Sequence, residues 1–255
     1  MSDQTCYYCG CPATTKEHVP PKCLFPEQRD AFGADYRMNL ITIPSCDKHN
    51  LEKSKDDEFL MSCLTPVVGN SGLGYIQTQT KLARALQRND GRLLNATLHD
   101  RRNAKLVTPD GAEFPILVGR PDMPRLCSAL EHVARGLYFH RTGKRFIGKC
   151  VILPAFVYFA GDPNLELIKQ LSRGMVNQEK PDWLTCGDNP AVFQYQMGPP
   201  DQFGLIPMLM TFFRGSEVFA SFQPKGVMLP FRTLDEPTPD NPIVIDITLK
   251  GEGST

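Results

Sequence analysis

Cys6-Tyr7-Tyr8-Cys9-Gly10 and Cys46-Asp47-Lys48-His49-Asn50 are the two stretches on which the reading of this chain turns. Cys-x2-Cys and Cys-x2-His are knuckle spacings. Each folds two side chains into one tight turn, where sulfur or imidazole meets a tetrahedral zinc ion at about 2.0–2.3 Å. Cys6, Cys9, Cys46 and His49 therefore form a candidate structural zinc site. Between the knuckles lie Lys16-Glu17-His18-Val19-Pro20-Pro21 and Asn39-Leu40-Ile41-Thr42, and the second knuckle runs on into Leu51-Glu52-Lys53-Ser54-Lys55.

The chemistry of those intervening residues can be read directly. Hydrolysis of a phosphodiester needs an activated water, neutralisation of charge on the phosphorus oxygens and stabilisation of the departing 3′-oxygen. His18 is suited to take a proton from water, because a neutral imidazole titrates near pH 7. Glu17 and Asn50 offer hard oxygen donors to Mg²⁺ or Mn²⁺, which keeps several waters and a phosphate oxygen in its shell. A closed four-ligand zinc site has a different task, since a segment this short buries too little apolar area to hold such geometry unaided.

This order of residues resembles the HNH endonuclease family in its zinc-stapled ββα-metal form. The acid-His pair matches Glu17-His18, the structural Asn followed by Leu matches Asn39-Leu40, and the last Asn with a trailing Lys matches Asn50 and Lys53. The resemblance covers roughly the first 60 residues. It implies His18 as general base, a divalent ion on Glu17 and Asn50, and Asn39 as a loop clamp bonding backbone around His18. The chain departs from the family in two places: Glu17 is one methylene longer than the usual Asp, and His49 stands where many relatives have Cys. Cys11 and Cys23 are spare thiols nearby, and either could replace an assigned ligand, although neither has a knuckle partner.

With 255 residues, 41% of them hydrophobic, the chain is globular. We expect an α+β protein in three parts: the zinc-bound module over 1–65, a linker with helix and hairpin over 66–120, and an α+β, β-rich domain over 121–255. No basic-then-apolar leader opens the sequence, and its longest apolar stretch, Val151 to Ala160, falls far below the ~18 residues of a membrane span. A soluble cytoplasmic protein with no membrane partner is expected, and the sequence leaves room for a homo-oligomer. Nine cysteines, with Cys63, Cys127, Cys150 and Cys186 standing alone in apolar surroundings, suit a reducing compartment better than a disulfide framework.

Net charge is zero, but its distribution is uneven: −3 over residues 1–60, +8 over 61–161 and −5 over 162–255. No acid occurs from His132 to Ala160, where Arg135, Arg141, Lys144 and Arg145 lie. With Lys53, these are the expected contacts to a nucleic-acid backbone, DNA first. The alternative is a surface balanced in space by the acidic ends. His99, His132 and His140 read as ordinary packing or surface histidines.

Locally, residues 40–43 read as strand and 50–64 as helix, with a hinge from Val67 to Gly74. A helix follows over 76–87, a hairpin over 104–118 around Pro109-Asp110-Gly111, and a long helix over 123–140. The C-terminal third reads mainly as strands, at 151–159, 191–197, 203–213, 217–222 and 243–248, with Trp183 anchoring a loop. Three functions follow: an active metal-dependent endonuclease, a zinc-knuckle module that binds nucleic acid without cutting it, and a nuclease effector gated by a ligand or partner of the C-terminal region.

Overall fold

The computed structural model describes residues 5–88, 90–157, 163–179, 182–226, 232–233 and 245–246; for residues 52–55, 163, 175, 179, 232–233 and 245–246 only the backbone is described. The architecture is mixed helix and sheet. Strand β1 (Thr15–His18) pairs antiparallel with β2 (Thr42–Ser45), and helix α1 (Asp47–Leu64) follows directly. The second knuckle thus opens the helix, three residues earlier than expected. Thr14 fixes that start: its hydroxyl donates to the Asp47 carboxylate at 2.8 Å and accepts the Asp47 backbone N–H.

The segment expected to hinge is a joint. Asn70 is buried, and its side-chain amide donates to the carbonyls of Leu64 and Thr65 at the end of α1, at 2.7 and 3.2 Å. Its Oδ1 accepts from Ser216 Oγ at 2.9 Å, and Ser71 N–H donates to the Phe213 carbonyl. Carbonyls at a helix end need partners. Here one asparagine supplies them and ties α1 to a distant hairpin.

Helix α2 (Gly72–Gln77) passes through a π-helical stretch over Thr78–Leu82 into α3 (Ala83–Arg88), followed by α4 (Arg92–Thr97). The expected hairpin is longer than its sequence signal: β3 (Leu98–Val107) and β4 (Glu113–Pro121) pair along most of their length, with Gly111 in the left-handed region at φ +86°. Helix α5 (Met123–Thr142) has Asp122 as N-cap and Gly143 as its left-handed stop. Its buried face is Leu126, Leu130, Val133, Ala134, Gly136 and Leu137. At Gly136 the helix lies so close to the β1–β2 hairpin that an added Cβ would sit 2.7 Å from Ile43 and 2.9 Å from Val19.

Beyond α5, five strands form one antiparallel sheet in the order β5 (Gly148–Pro154), β9 (Ser216–Pro224), β8 (Ile206–Phe212), β7 (Phe193–Met197) and β6 (Thr185–Cys186). A helix not expected from the sequence, α6 (Pro163–Glu179), lies between β5 and β6 in the chain. Trp183 is buried with Ala155, Val176, Leu209 and Phe219. Of the expected 243–248 strand, only Ile245 and Asp246 are described, paired with Thr233 and Arg232.

One apolar cluster joins Tyr7, Val19, Ile43 and Phe59 of the knuckle region with Leu126 and Leu130 of α5 and with Phe212 and Phe222 of the sheet. Breaks at 65 and 120 are therefore not breaks in the core. None of the described helices is long and apolar enough to cross a membrane.

Candidate functional site

The four knuckle residues converge. The ligating atoms of Cys6, Cys9, Cys46 and His49 all lie within 4.8 Å of one another. Cys9 Sγ is 3.8 Å from Cys46 Sγ, while His49 Nδ1 is 3.1 Å from Cys46 Sγ and 3.8 Å from Cys6 Sγ. A tetrahedron with Zn–S bonds of about 2.3 Å has sulfurs about 3.8 Å apart, so the donor set fits zinc in number, type and spacing. A disulfide would bring the sulfurs to about 2.05 Å, and all nine cysteines are free.

The backbone around Cys6 prepares it as a ligand. Burial pushes its thiol up, but the backbone N–H groups of Cys9, Cys46 and Tyr8 outweigh burial and hold it below the ordinary thiol range. Cys63 and Cys150 show the contrary case. Burial pushes each up to about 12 and leaves it an inert thiol of the core.

Beside this cluster, a cleft of about 140 Å³ is lined by Lys16, Glu17, His18, Pro21, Lys22, Cys23, Asn50 and Asp57. Glu17, His18 and Asn50 are thus brought to one place. Glu17 is buried, while His18 and Asn50 are half-buried. Asn50 donates from Nδ2 to Thr15 Oγ1 at 3.2 Å, which fixes the amide plane and leaves its oxygen as the end suited to a cation. Tyr7, fully buried inside the first knuckle, has its hydroxyl held well above the phenol range, first by burial and then by the Glu17 carboxylate. It is a neutral neighbour of Glu17.

Asn39 is exposed and adopts the left-handed conformation at φ +52°. Among the described residues its side chain makes no hydrogen bond, so the side-chain clamp that the resemblance implies is not formed with any of them. What Asn39 contributes is a backbone turn that asparagine tolerates well.

Two of the expected phosphate contacts are already committed. Arg135 bonds the Glu131 carboxylate at 2.7 Å and the Gly148 carbonyl at 2.9 Å, with its guanidinium 5.6 Å from the Tyr8 and Phe146 ring centres. Its side chain is 14% exposed, so it braces α5 against the start of β5 rather than facing solvent. Arg145 donates to the Cys9 carbonyl at 3.0 Å and lies over Gly10, clamping the first knuckle. Arg141 and Lys144 are exposed. The Lys53 side chain lies outside the described residues.

The sequence reading passed over four residues around the cleft. Asp57 lies seven positions after Asn50 on α1, two helical turns along the same face, and that spacing was the available signal. Lys16 and Lys22 flank Glu17-His18 closely in the chain. Cys23, an alternative ligand by sequence, lies outside the Cys/His cluster and donates its thiol to the Asp57 carbonyl at 3.2 Å. Tyr8, between the knuckle cysteines, packs its ring 4.7 Å from that of His49 and 4.4 Å from that of His132, so His132 belongs to the packing around the Cys/His cluster.

Comparison with protein-family models, with curated proteins and with solved structures gave no match to this chain.

Proposed function

We propose that the protein is an HNH-type, metal-dependent endonuclease acting on nucleic acid, DNA foremost. The observation that carries this reading is the shared first turn of α1. His49 belongs to the Cys/His cluster, and the next residue, Asn50, lines the cleft that holds Glu17 and His18. A structural staple and an acid–histidine–amide cleft built on adjacent residues are what a small hydrolytic module needs.

In this reading Cys6, Cys9, Cys46 and His49 would hold a zinc ion that fixes the hairpin against α1. Glu17 and Asn50 would hold a Mg²⁺ or Mn²⁺ ion, which would supply positive charge to offset that on the phosphorus oxygens and the leaving oxygen. His18 takes one proton from the attacking water. The new P–O bond forms as the bond to the 3′-oxygen breaks, and that oxygen leaves as a hydroxyl after protonation by solvent. Burial of Glu17 strengthens its attraction for a cation, because little water screens it there.

The gated-effector reading gains from one further pair of contacts. Asn189 Nδ2 donates to the Met38 carbonyl at 3.0 Å, and Arg145 bonds Cys9, so the C-terminal half grips both the β1–β2 loop and the first knuckle. A ligand that moved the 188–190 turn would pull on the loop that ends at β2.

The test is cleavage of supercoiled plasmid by the full chain with Mg²⁺ or Mn²⁺, with His18→Ala as control. Conversion to nicked or linear product by the wild type alone is the expected result. Intact plasmid with both ions would leave a zinc-stapled binding module.

A further inference from the structure

Apart from Lys53, the cations that sequence assigned to nucleic acid lie in the middle of the chain, yet the cleft has its own. Among the described side chains of residues 5–88, Arg29, Arg37, Lys81, Arg84 and Arg88 are each ion-paired with a carboxylate. That leaves Lys16, Lys22 and Lys48, of which Lys16 and Lys22 both line the cleft. Both are exposed, and neither makes an ion pair among the described residues.

From this we infer that Lys16 and Lys22 are a phosphate-binding rim that seats the nucleic-acid backbone over the cleft. The substrate class is a phosphodiester polyanion, and the inference rests on the nuclease reading for what happens to it once seated. Two lysines against Glu17 and Asp57 leave the cleft formally neutral. A divalent cation on its oxygen donors makes it doubly positive, which a phosphodiester would offset and a neutral substrate would not. Ordinary surface lysines are solvated and contribute little. These two differ because a cleft carrying His18, Glu17 and Asn50 concentrates them at the place where a phosphate must come, in a region (residues 1–60) whose net charge is −3 even with both lysines counted.

Each lysine has a separate origin. Lys16 belongs to β1 next to Glu17, and Lys22 opens the short 3₁₀ turn Lys22–Leu24 that follows Pro20 and Pro21. Two prolines fix φ near −65° and restrict the residues before them, so the lysine that follows is presented by stiff backbone. A cation on a pre-set backbone loses less entropy when a phosphate binds.

The experiment is fluorescence anisotropy of a labelled DNA duplex with the full-length protein across a salt series, without added divalent ion, so that the probe stays intact. Lys16→Ala with Lys22→Ala is expected to reduce the magnitude of the log K versus log[salt] slope by nearly two units, at ~0.9 per cation removed. Lys16→Arg with Lys22→Arg is expected to retain it, with zinc content equal to wild type in both. An unchanged slope in the alanine variant overturns the rim, whether or not plasmid is cut, and so does a wild type that binds no duplex. A flattened slope in a protein that never cuts plasmid upholds the rim as a binding site and sinks only the nuclease reading.

Discussion

His49 and Asn50 are neighbours in the first turn of α1 and face different tasks: the His49 ring turns its Nδ1 to 3.1 Å from Cys46 Sγ, while Asn50 reaches across to Thr15 of β1. Successive helical residues point about 100° apart. A single turn can therefore serve a staple on one side and a cleft on the other, and whatever fixes the staple also fixes the cleft.

Cys46→Ser should accordingly remove more than zinc. Structural zinc in small modules is worth ~10–16 kcal/mol. The variant is expected to lose zinc by elemental analysis and to lose hydrogen-exchange protection over β1, β2 and the first turn of α1. The five-stranded sheet, whose strands bond one another but whose Phe212 and Phe222 share the apolar core with the knuckle region, should lose less protection than the hairpin. A variant with full zinc content and unchanged protection would show that Cys46 is not a ligand.

His18→Ala is expected to lower plasmid cleavage ~10²–10⁴-fold, the range for loss of a general base, with duplex affinity and zinc content near wild type. Asn50→Ala should act differently, shifting the Mg²⁺ or Mn²⁺ dependence to higher concentration. A rate for His18→Ala equal to wild type would exclude His18 as the base.

The knuckles and the hairpin–helix order were legible because their signals are local: ligand spacing, Pro and Gly breaks, and a helix-forming run after Cys46. Helix α6 was not, for a physical reason. Its leucines mark the face that it does not bury: Leu167 and Leu171, one turn apart, are more than half exposed, while Lys169 is buried and bonds the Val157 carbonyl and Glu166. The basic run misled in the same way. Charge can be counted in sequence, but whether a guanidinium meets solvent or a carbonyl is settled by α5, Phe146 and the knuckle meeting in space. The Val67–Gly74 stretch looked like a hinge because glycine marks freedom, whereas Asn70 removes it through contacts with residues nearly 150 positions away.

Asn70→Ala tests that joint. The change strips partners from the Leu64 and Thr65 carbonyls and from the Ser216 hydroxyl, all at a buried site. Leaving buried polar groups unsatisfied costs about 1–3 kcal/mol. Urea unfolding should show a lower midpoint with an unchanged slope. A midpoint equal to wild type would mean that solvent replaces the asparagine and the segment is loose after all.

Acid should loosen the β1–β2 loop through Asp30. Arg84 grips the Asp30 carboxylate with two bonds of 3.0 and 2.6 Å, and these hydrogen bonds hold its carboxyl below the usual value of 3.8. A depressed native pKa gives stability that is present above the unfolded value and lost as pH falls through the folded one. Stability measured from pH 5 downward should therefore fall, and Asp30→Asn should flatten part of that fall while starting lower. A variant whose acid profile parallels that of wild type would remove Asp30 from the linkage.

Arg145 separates the spatial reading from the sequence reading most sharply. As a phosphate contact, its removal would flatten the salt dependence of duplex binding by ~0.9 and leave the metal cluster alone. As the clamp on the Cys9 carbonyl, its removal touches the turn that carries Cys6 and Cys9 and no phosphate. The geometry favours the second. A bond from a charged donor to an exposed carbonyl contributes about 1 kcal/mol, below the ~1.5–3 kcal/mol of hydrogen bonds to charged groups because water competes. Arg145→Ala should therefore speed zinc release to a chromogenic chelator roughly fivefold, the kinetic equivalent of that energy, with an unchanged salt slope. Arg145→Lys should restore the rate only in part, since an ammonium cannot lie flat over Gly10 as a guanidinium does. A flattened slope with unaltered zinc release would return Arg145 to the nucleic-acid face.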